Sequence, residues 1–125
     1  MSFGLNAISQ AALTVDDLDR AVPFYRDTLG LKLLFRVPNM AFFECGSMRL
    51  LLGARAVAGS APPGGAILYF NVEDIQGAFK TLSGRGVNFP EAPHIVARMS
   101  NREVWLAAFR DSENNLFHLI SEKPV

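Results

Sequence analysis

The chain has 125 residues, half of them apolar, and its twelve basic and twelve acidic side chains leave a formal net charge of zero at pH 7. A protein that binds nucleic acid or an anionic membrane usually has an excess of basic side chains, which this chain lacks. No apolar run approaches the roughly 20 residues that span a bilayer, and the single cysteine excludes an intrachain disulfide. The composition therefore predicts one cytoplasmic domain over residues 1–125, with neither nucleic acid nor a membrane as partner.

A strand, a capped turn and an amphipathic helix are predicted over residues 8–31. Asp16 and Asp17 are typical caps for the free N–H groups at a helix start, and Gly30 is typical of the residue that ends a helix. The apolar positions between them recur at helical spacing, and they are Leu18, Ala21, Val22, Tyr25 and Leu29. This stretch is the element that the rest of the chain repeats.

Pro23 lies inside the apolar stripe and conflicts with one regular helix. Proline has no N–H to donate and clashes with the preceding turn, which costs about 3 kcal/mol in a helix interior. The sequence therefore predicts a separate opening turn over residues 16–20. The main helix then begins near Arg20, which leaves Pro23 in its first turn, where proline is tolerated.

Three strands are predicted after the helix, over residues 31–37, 40–45 and 48–52, separated by short turns. The first unit, about residues 6–53, is thus a βαβββ arrangement. The following segment, about residues 54–65, is rich in glycine, alanine and proline and is interpreted as a linker.

The opening pattern occurs a second time at the start of a unit that spans about residues 66–121. Val15 matches Val72 and Ala21 matches Ala78 at one constant offset, whereas Gly30 matches Gly86 only after one deletion. The second apolar stripe consists of Ile75, Ala78, Phe79 and Leu82. A repeat of this length implies two copies of one supersecondary unit, so the predicted fold class is α+β with two βαβββ units.

Two such units, each opening with V-x-D-[LI], resemble the vicinal oxygen chelate superfamily of glyoxalases, bleomycin-resistance proteins and extradiol dioxygenases. Residues 24–31 (FYRDTLGL) and residues 109–119 (FRDSENNLFHL) carry further likeness. The resemblance covers nearly the whole chain and implies a single glyoxalase-like domain. Its units would be related by a pseudo-twofold and form a curled mixed sheet around a cavity. It also implies a homodimer, because the family usually pairs its chains.

The resemblance places the four metal-ligand positions of the family at Gln10, Leu51, Ile67 and His118. Gln10 offers an amide oxygen and His118 an imidazole nitrogen, whereas Leu51 and Ile67 have no donor atom. A tight divalent site generally needs three or four protein groups. No cofactor is therefore predicted, and Gln10 and His118 are the weak candidates for a divalent metal.

The predicted site is a concave, mostly apolar pocket for a small organic ligand. Strand alternation places Gln10 on the face opposite to Leu13 and Val15 and groups Tyr69 and Asn71 with Ile67. The predicted ligand-binding residues are Gln10, Leu51, Ile67, Tyr69, Asn71, Trp105 and Phe42, and the candidate catalytic residues are His118 and His94. Each histidine also has a structural interpretation, His118 as a core residue and His94 as a surface residue of a strand.

Three functions fit these residues. The first is a metal-free protein that binds a small molecule, as in the bleomycin-resistance branch. The second is a metal-dependent lyase or dioxygenase that uses Gln10 and His118, with His94 as a substitute ligand. The third is a metal-free enzyme in which His118 or His94 is the acid or base. The small number of metal ligands favours the first and third, and the sequence identifies no substrate.

Overall fold

The computed structural model describes residues 3–5, 7–54 and 67–124. The chain divides into two units, Met1–Ala61 and Pro62–Val125, called here the first and the second unit. Of the predicted linker, only Ala54 lies within the described residues, and it ends a strand. None of the helices in the described ranges is long and apolar enough to cross a membrane.

The first unit is a four-stranded mixed sheet with a helix on one face. Its elements are β1 (Gln10–Val15), α1 (Leu18–Pro23), a π-helical segment (Phe24–Thr28), β2 (Lys32–Val37), β3 (Met40–Cys45) and β4 (Met48–Ala54). The strand order is β1-β4-β3-β2, with β1 parallel to β4 and the other pairs antiparallel. The helix is the crossover that a parallel pair requires, whereas β3 and β4 are joined by a two-residue turn.

The first helix differs from the prediction at Pro23. It begins directly after Asp17, whose carboxylate accepts a hydrogen bond from the Arg20 N–H at 3.3 Å. Pro23 is the last residue of α1, and the chain continues as the π-helical segment. The predicted opening turn and the helix start near Arg20 were therefore wrong. The helix widens after the proline, which lacks the N–H for a regular turn, rather than breaking before it.

The second unit has the same order of elements as the first. They are β5 (Tyr69–Asn71), α2 (Ile75–Gly84), β6 (Asn88–Arg98), β7 (Arg102–Arg110) and β8 (Leu116–Pro124). The strand order is β5-β8-β7-β6, with β5 parallel to β8 and irregular pairing between β6 and β7. Asp74 caps α2 by accepting a hydrogen bond from the Gly77 N–H at 3.0 Å.

The strand registers of the two units match residue by residue. Leu13 pairs with Leu52 in the first unit, and Phe70 pairs with Leu119 in the second. Leu13 and Phe70 are separated by the same offset as the repeated valines, and Leu52 and Leu119 are the matched leucines of the two last strands. The predicted α+β fold with two βαβββ units is confirmed. The pseudo-twofold between the units stays a prediction.

Each sheet buries one face under the helix of its own unit. In the first unit the buried side chains are Val15, Leu18, Ala21, Val22, Tyr25, Ala41, Phe43, Leu50 and Leu52. In the second they are Ile75, Val87, Ala107, Phe109, Phe117 and Leu119, whereas the buried Ala108 lies on the other face beside His118. Burial of one large apolar side chain contributes about 1.5–3 kcal/mol, so these layers stabilise both units and leave the opposite face of each sheet available.

Candidate functional site

An apolar row crosses the first sheet on the face opposite the buried layer. The register aligns Ala12 with Leu51, Leu51 with Phe42, and Phe42 with Phe35. The rings of Phe35 and Phe42 are stacked, with centroids 4.4 Å apart and planes at 22°. We call these four residues the first wall. It includes the predicted ligand-binding residues Leu51 and Phe42.

Phe35 is absent from the predicted ligand-binding set, although 51% of it is exposed on this wall. The pairing of β2 with β3 shifts between Leu33 and Phe35, so one residue is passed over. That irregularity places Phe35 on the same face as Phe42. The sequence carries no signal for the shift, because residues 33–35 are all apolar.

Gln10 lies on the same face as Leu51 but in a polar row. Its partner across the strands is Arg49, which pairs in turn with Glu44. A shallow groove of about 290 Å³ beside this row is lined in part by Arg49, Glu44 and Ser9. A divalent cation bound to the Gln10 amide would therefore lie next to a guanidinium of the same sign.

The second sheet presents a face with two ring systems, here called the second wall. Tyr69 pairs with His118, and Asn71 pairs with Ile120. The rings of Tyr69 and His118 are stacked, with centroids 4.8 Å apart and planes at 12°. Ile67, just before β5, is 43% exposed, and Tyr69 is 52% exposed. The structure thus brings Tyr69 and His118 into direct contact and leaves large apolar surface beside them.

The two ring nitrogens of His118 have different surroundings. In the described part of the chain, Nδ1 is buried and has no hydrogen-bond partner. Nε2 does not combine these two properties. A histidine that binds a metal usually donates its other N–H to a carbonyl or a carboxylate, which orients the ring. With Nε2 as the ligand atom, His118 would lack that support.

His94 lies on the same sheet face as the second wall, but its ring nitrogens contact residues of its own strand. It pairs with Leu106, which pairs with Ile120 of the wall. Its Nδ1 lies 2.8 Å from the Ala92 carbonyl oxygen, and its Nε2 lies 3.4 Å from a carboxylate oxygen of Glu91. The side chain is 44% exposed. His94 is therefore oriented at the edge of the sheet, two strands away from β8.

Trp105 does not share the face of His118. It occupies an odd position of β7 and pairs with Ser121, on the face of the buried Phe109. The Lys123 ammonium lies 4.7 Å from its ring centroid, and its indole N–H donates to Glu103 at 3.4 Å. The expectation that Trp105 lines the same wall as His118 is not met, because alternation along β7 turns it to the other face.

The four family positions do not supply a metal site in chemical terms. In the first unit they hold an amide beside Arg49 and the hydrocarbon of Leu51, and in the second they hold Ile67 and the poorly supported imidazole of His118. Among the residues that the structure describes, no group of three His, Cys, Asp or Glu is placed to hold a metal ion. Cys45 adds no reactive group, because burial raises the pKa of its thiol.

Two copies of a βαβββ unit, each with one sheet face under a helix and one open face, define the glyoxalase-type α+β fold. The chain belongs to the Glyoxalase/Bleomycin resistance protein/Dioxygenase superfamily, whose family model matches residues 7–119. It is 30% identical to the uncharacterized protein YraH of Bacillus subtilis (strain 168). That alignment spans 124 residues and covers 88% of this chain and 94% of the relative.

Solved structures show the same architecture. A lactoylglutathione lyase from Agrobacterium tumefaciens superposes with a TM-score of 0.76 at 25% identity, over 94% of both chains. The virulence protein STM3117 from Salmonella typhimurium superposes with a TM-score of 0.78 at 22% identity, over 95% of this chain and 98% of that one. The second likeness extends to the fold alone.

Proposed function

We propose that this protein binds a small organic ligand against its apolar walls, without a tightly held metal. The observation that carries the proposal is the second wall, where Ile67 and Tyr69 are half-exposed beside His118. Ligand sites are mostly apolar and aromatic, with a few polar groups that fix orientation. The second wall has this composition, since the His118 imidazole and the Asn71 amide lie among apolar side chains.

The chemistry of the family positions supports the metal-free part of the proposal. A dication beside Leu51 and Ile67 would gain no ligand from either side chain. Its charge would have to be balanced by one amide and one imidazole, which is costly for a buried ion. The walls are better suited to carbon-rich ligands than to ions.

A fragment screen followed by ligand titration tests the binding site. We expect Tyr69→Ala to weaken the binding of aromatic fragments about tenfold, because a ring contact of about 1.4 kcal/mol is lost. Met99→Ala is the matched control, since Met99 is 54% exposed but lies in the turn after β6. Equal binding by the two variants would show that the second wall is not the site.

Elemental analysis of the purified protein tests the metal-free part. We expect no stoichiometric transition metal and no change in fragment binding after treatment with a chelator. Near-stoichiometric zinc, nickel, manganese or iron that is lost in the His118→Ala and Gln10→Ala variants would overturn the proposal.

The second candidate function is a metal-dependent lyase or dioxygenase that uses Gln10 and His118. The observation in its favour is the 25% identity with a lactoylglutathione lyase over 94% of the chain. This candidate requires an activity that is abolished by a chelator and restored by added metal. A metal-free enzyme would instead keep its activity in chelator and lose it in His118→Ala or His94→Ala.

We also propose that the protein is a homodimer. Phe3 and Leu5 are each 93% exposed and Ile8 is 70% exposed, so the described residues before β1 present apolar surface to solvent. A second copy would cover such surface and the free edges of the sheets, and twofold pairing is the commonest arrangement in soluble oligomers. Sedimentation at micromolar concentrations should give twice the mass of one chain, and the mass of a single chain would contradict the proposal.

A further inference from the structure

We propose that His118 is held as the tautomer that carries its proton on Nε2, so that the second wall offers its ligand a hydrogen-bond donor. The inference rests on the proposed ligand site and deepens it by naming the chemistry of the ligand. A donor at this point selects a flat molecule that carries an oxygen acceptor, either a carbonyl or a carboxylate conjugated with a ring.

The position of the proton follows from the surroundings of Nδ1. That atom is buried and has no hydrogen-bond partner among the described residues. A proton on Nδ1 would create a buried N–H without an acceptor, and such groups are rarer in folded proteins than acceptors left without a donor. A ring with its proton on Nε2 and none on Nδ1 avoids this arrangement.

His94 is the internal contrast, because its Nδ1, unlike that of His118, has an acceptor oxygen beside it. Its Nδ1 lies 2.8 Å from the Ala92 carbonyl oxygen, and a carbonyl oxygen can only accept. Nδ1 of His94 is therefore the donor in that contact. His94 thus carries a proton on Nδ1, whereas His118 is inferred to carry none there, and this difference gives the two rings distinct spectroscopic signatures.

The shape of the second wall determines the rest of the ligand class. The Tyr69 ring is stacked on His118, and about half of Tyr69 remains exposed. A flat ring that meets the His118 Nε2–H edge-on would lie beside the exposed part of Tyr69, and offset or edge-to-face ring pairs attract one another. Arg110 lies on the same face, on the row next to His118, and donates to the Asn114 carbonyl at 3.1 Å. A carboxylate would gain from that cation, whereas a neutral carbonyl would not.

Nitrogen-15 NMR of the imidazole rings tests the tautomer without any ligand. The His94→Gln variant leaves a single histidine, so every imidazole signal then belongs to His118. We expect the two-bond nitrogen–proton correlations and the nitrogen shifts of a ring protonated at Nε2. The wild-type protein should show one further ring, that of His94, with a proton on Nδ1. A His118 ring protonated at Nδ1, or a mixture of the two tautomers, would overturn the proposal.

Titration with three flat probes tests the ligand class. Benzamide and benzoate carry an oxygen acceptor and toluene does not, so we expect the first two to bind about threefold to tenfold more tightly. His118→Leu should remove this preference, whereas His118→Gln should retain part of it. Tighter binding of benzoate than of benzamide, lost in Arg110→Leu, would assign the acceptor as a carboxylate.

The outcomes separate this inference from the proposed function. Equal affinity for toluene and benzamide would overturn the ligand class while leaving the second wall as a binding site. If no probe binds at the second wall while His118 shows the Nε2–H pattern, the proposed function and the ligand class both fail, and the tautomer assignment alone is retained.

Discussion

The helices of the two units differ in length by one residue. In the second unit the Val87 N–H donates to the Leu82 carbonyl at 3.0 Å. In the first unit the equivalent bond runs from the Leu31 N–H to the Tyr25 carbonyl at 2.9 Å and encloses one more residue. The glycines that follow the two helices both have positive φ, 81° at Gly30 and 89° at Gly86. The two helices therefore end in the same way, although the first is one residue longer.

This difference explains the break in the sequence repeat. The constant offset between the units holds through the helix start and becomes one residue shorter at the pair of glycines. The extra residue lies in the π-helical segment, Phe24–Thr28, directly after Pro23. Pro23 has no N–H to donate to the carbonyl one turn before it, so the widened turn after it can hold an additional residue. An insertion in a repeat can thus be absorbed by helix geometry without shifting the strands.

The largest expected effect comes from breaking the core at equivalent positions. Leu52 and Leu119 are 0% and 3% exposed and occupy matching places in the two registers. We expect Leu52→Ala and Leu119→Ala each to lower the free energy of unfolding by about 2–5 kcal/mol, measured by chemical denaturation. The half-buried Leu51 of the opposite face is the control, with a smaller loss expected for Leu51→Ala. A large loss in one unit and none in the other would break the equivalence.

The second expected effect concerns the turns before the last strand of each unit. The first unit uses the two-residue turn of Gly46 and Ser47, whereas the second uses a five-residue loop organised by Asp111. The Asp111 carboxylate accepts from the Glu113 N–H at 2.9 Å, the Asn115 N–H at 2.7 Å and the Asn115 side-chain amide at 2.9 Å. Asp111→Ala should cost about 2 kcal/mol, because these donors lose their acceptor.

Ser112→Ala is the matched control for the loop. The Ser112 hydroxyl makes a hydrogen bond only to the neighbouring Glu113 side chain in the contacts described, at 3.1 Å. Its loss should change the free energy of unfolding by less than about 0.5 kcal/mol. Equal effects of the two substitutions in thermal unfolding would mean that Asp111 does not organise the loop.

The repeat allowed the fold and part of the candidate site to be predicted from sequence. Matching Ala12 with Tyr69 and Leu51 with His118 places Tyr69 beside His118, because Ala12 and Leu51 are partners in the first sheet. The face of Trp105 was not predictable in this way. Residues 104–109 of β7 are all apolar, so the strand has no alternation of apolar and polar residues that would identify its buried face. The orientation of Trp105 follows from pairing with β8, which is a tertiary property.

The third expected effect tests the extra residue in the first helix. Deleting Asp27 should bring the π-helical segment to the length of the second helix, and we expect Tm to fall by less than about 3 °C. The ion pair with Arg26 at 2.9 Å is exposed and contributes little. Deleting Lys80 from α2 is the control, since it rotates Leu82 by about 100° around the axis.

For the Lys80 deletion we expect Tm to fall by roughly 8 °C or more, because α2 has no surplus residue to lose and Leu82 leaves its packed position. Thermal unfolding followed by circular dichroism measures both variants. If the two deletions lower Tm equally, the π-helical segment does not hold a dispensable residue.

The smallest expected effect sharpens the comparison at the helix starts. Asp17 and Asp74 are equivalent caps, and their N–H partners are Arg20 at 3.3 Å and Gly77 at 3.0 Å. A Cβ at residue 77 would clash with Oδ2 of Asp74. The shorter of the two cap hydrogen bonds is accordingly the one made by Gly77, which has no side chain.

Gly77→Ala should therefore change the free energy of unfolding by less than about 0.5 kcal/mol. Alanine is favoured over glycine by about 1 kcal/mol inside a helix, and the weakened cap offsets most of that gain. In an Asp74→Ala background the cap is already absent, so the same substitution should stabilise the protein by nearly the full gain of about 1 kcal/mol. A double-mutant cycle by chemical denaturation measures the coupling between the two positions. Identical effects of Gly77→Ala in both backgrounds would show that the Asp74 carboxylate does not restrict the side chain at residue 77. The difference in length between the two cap hydrogen bonds would then have another cause.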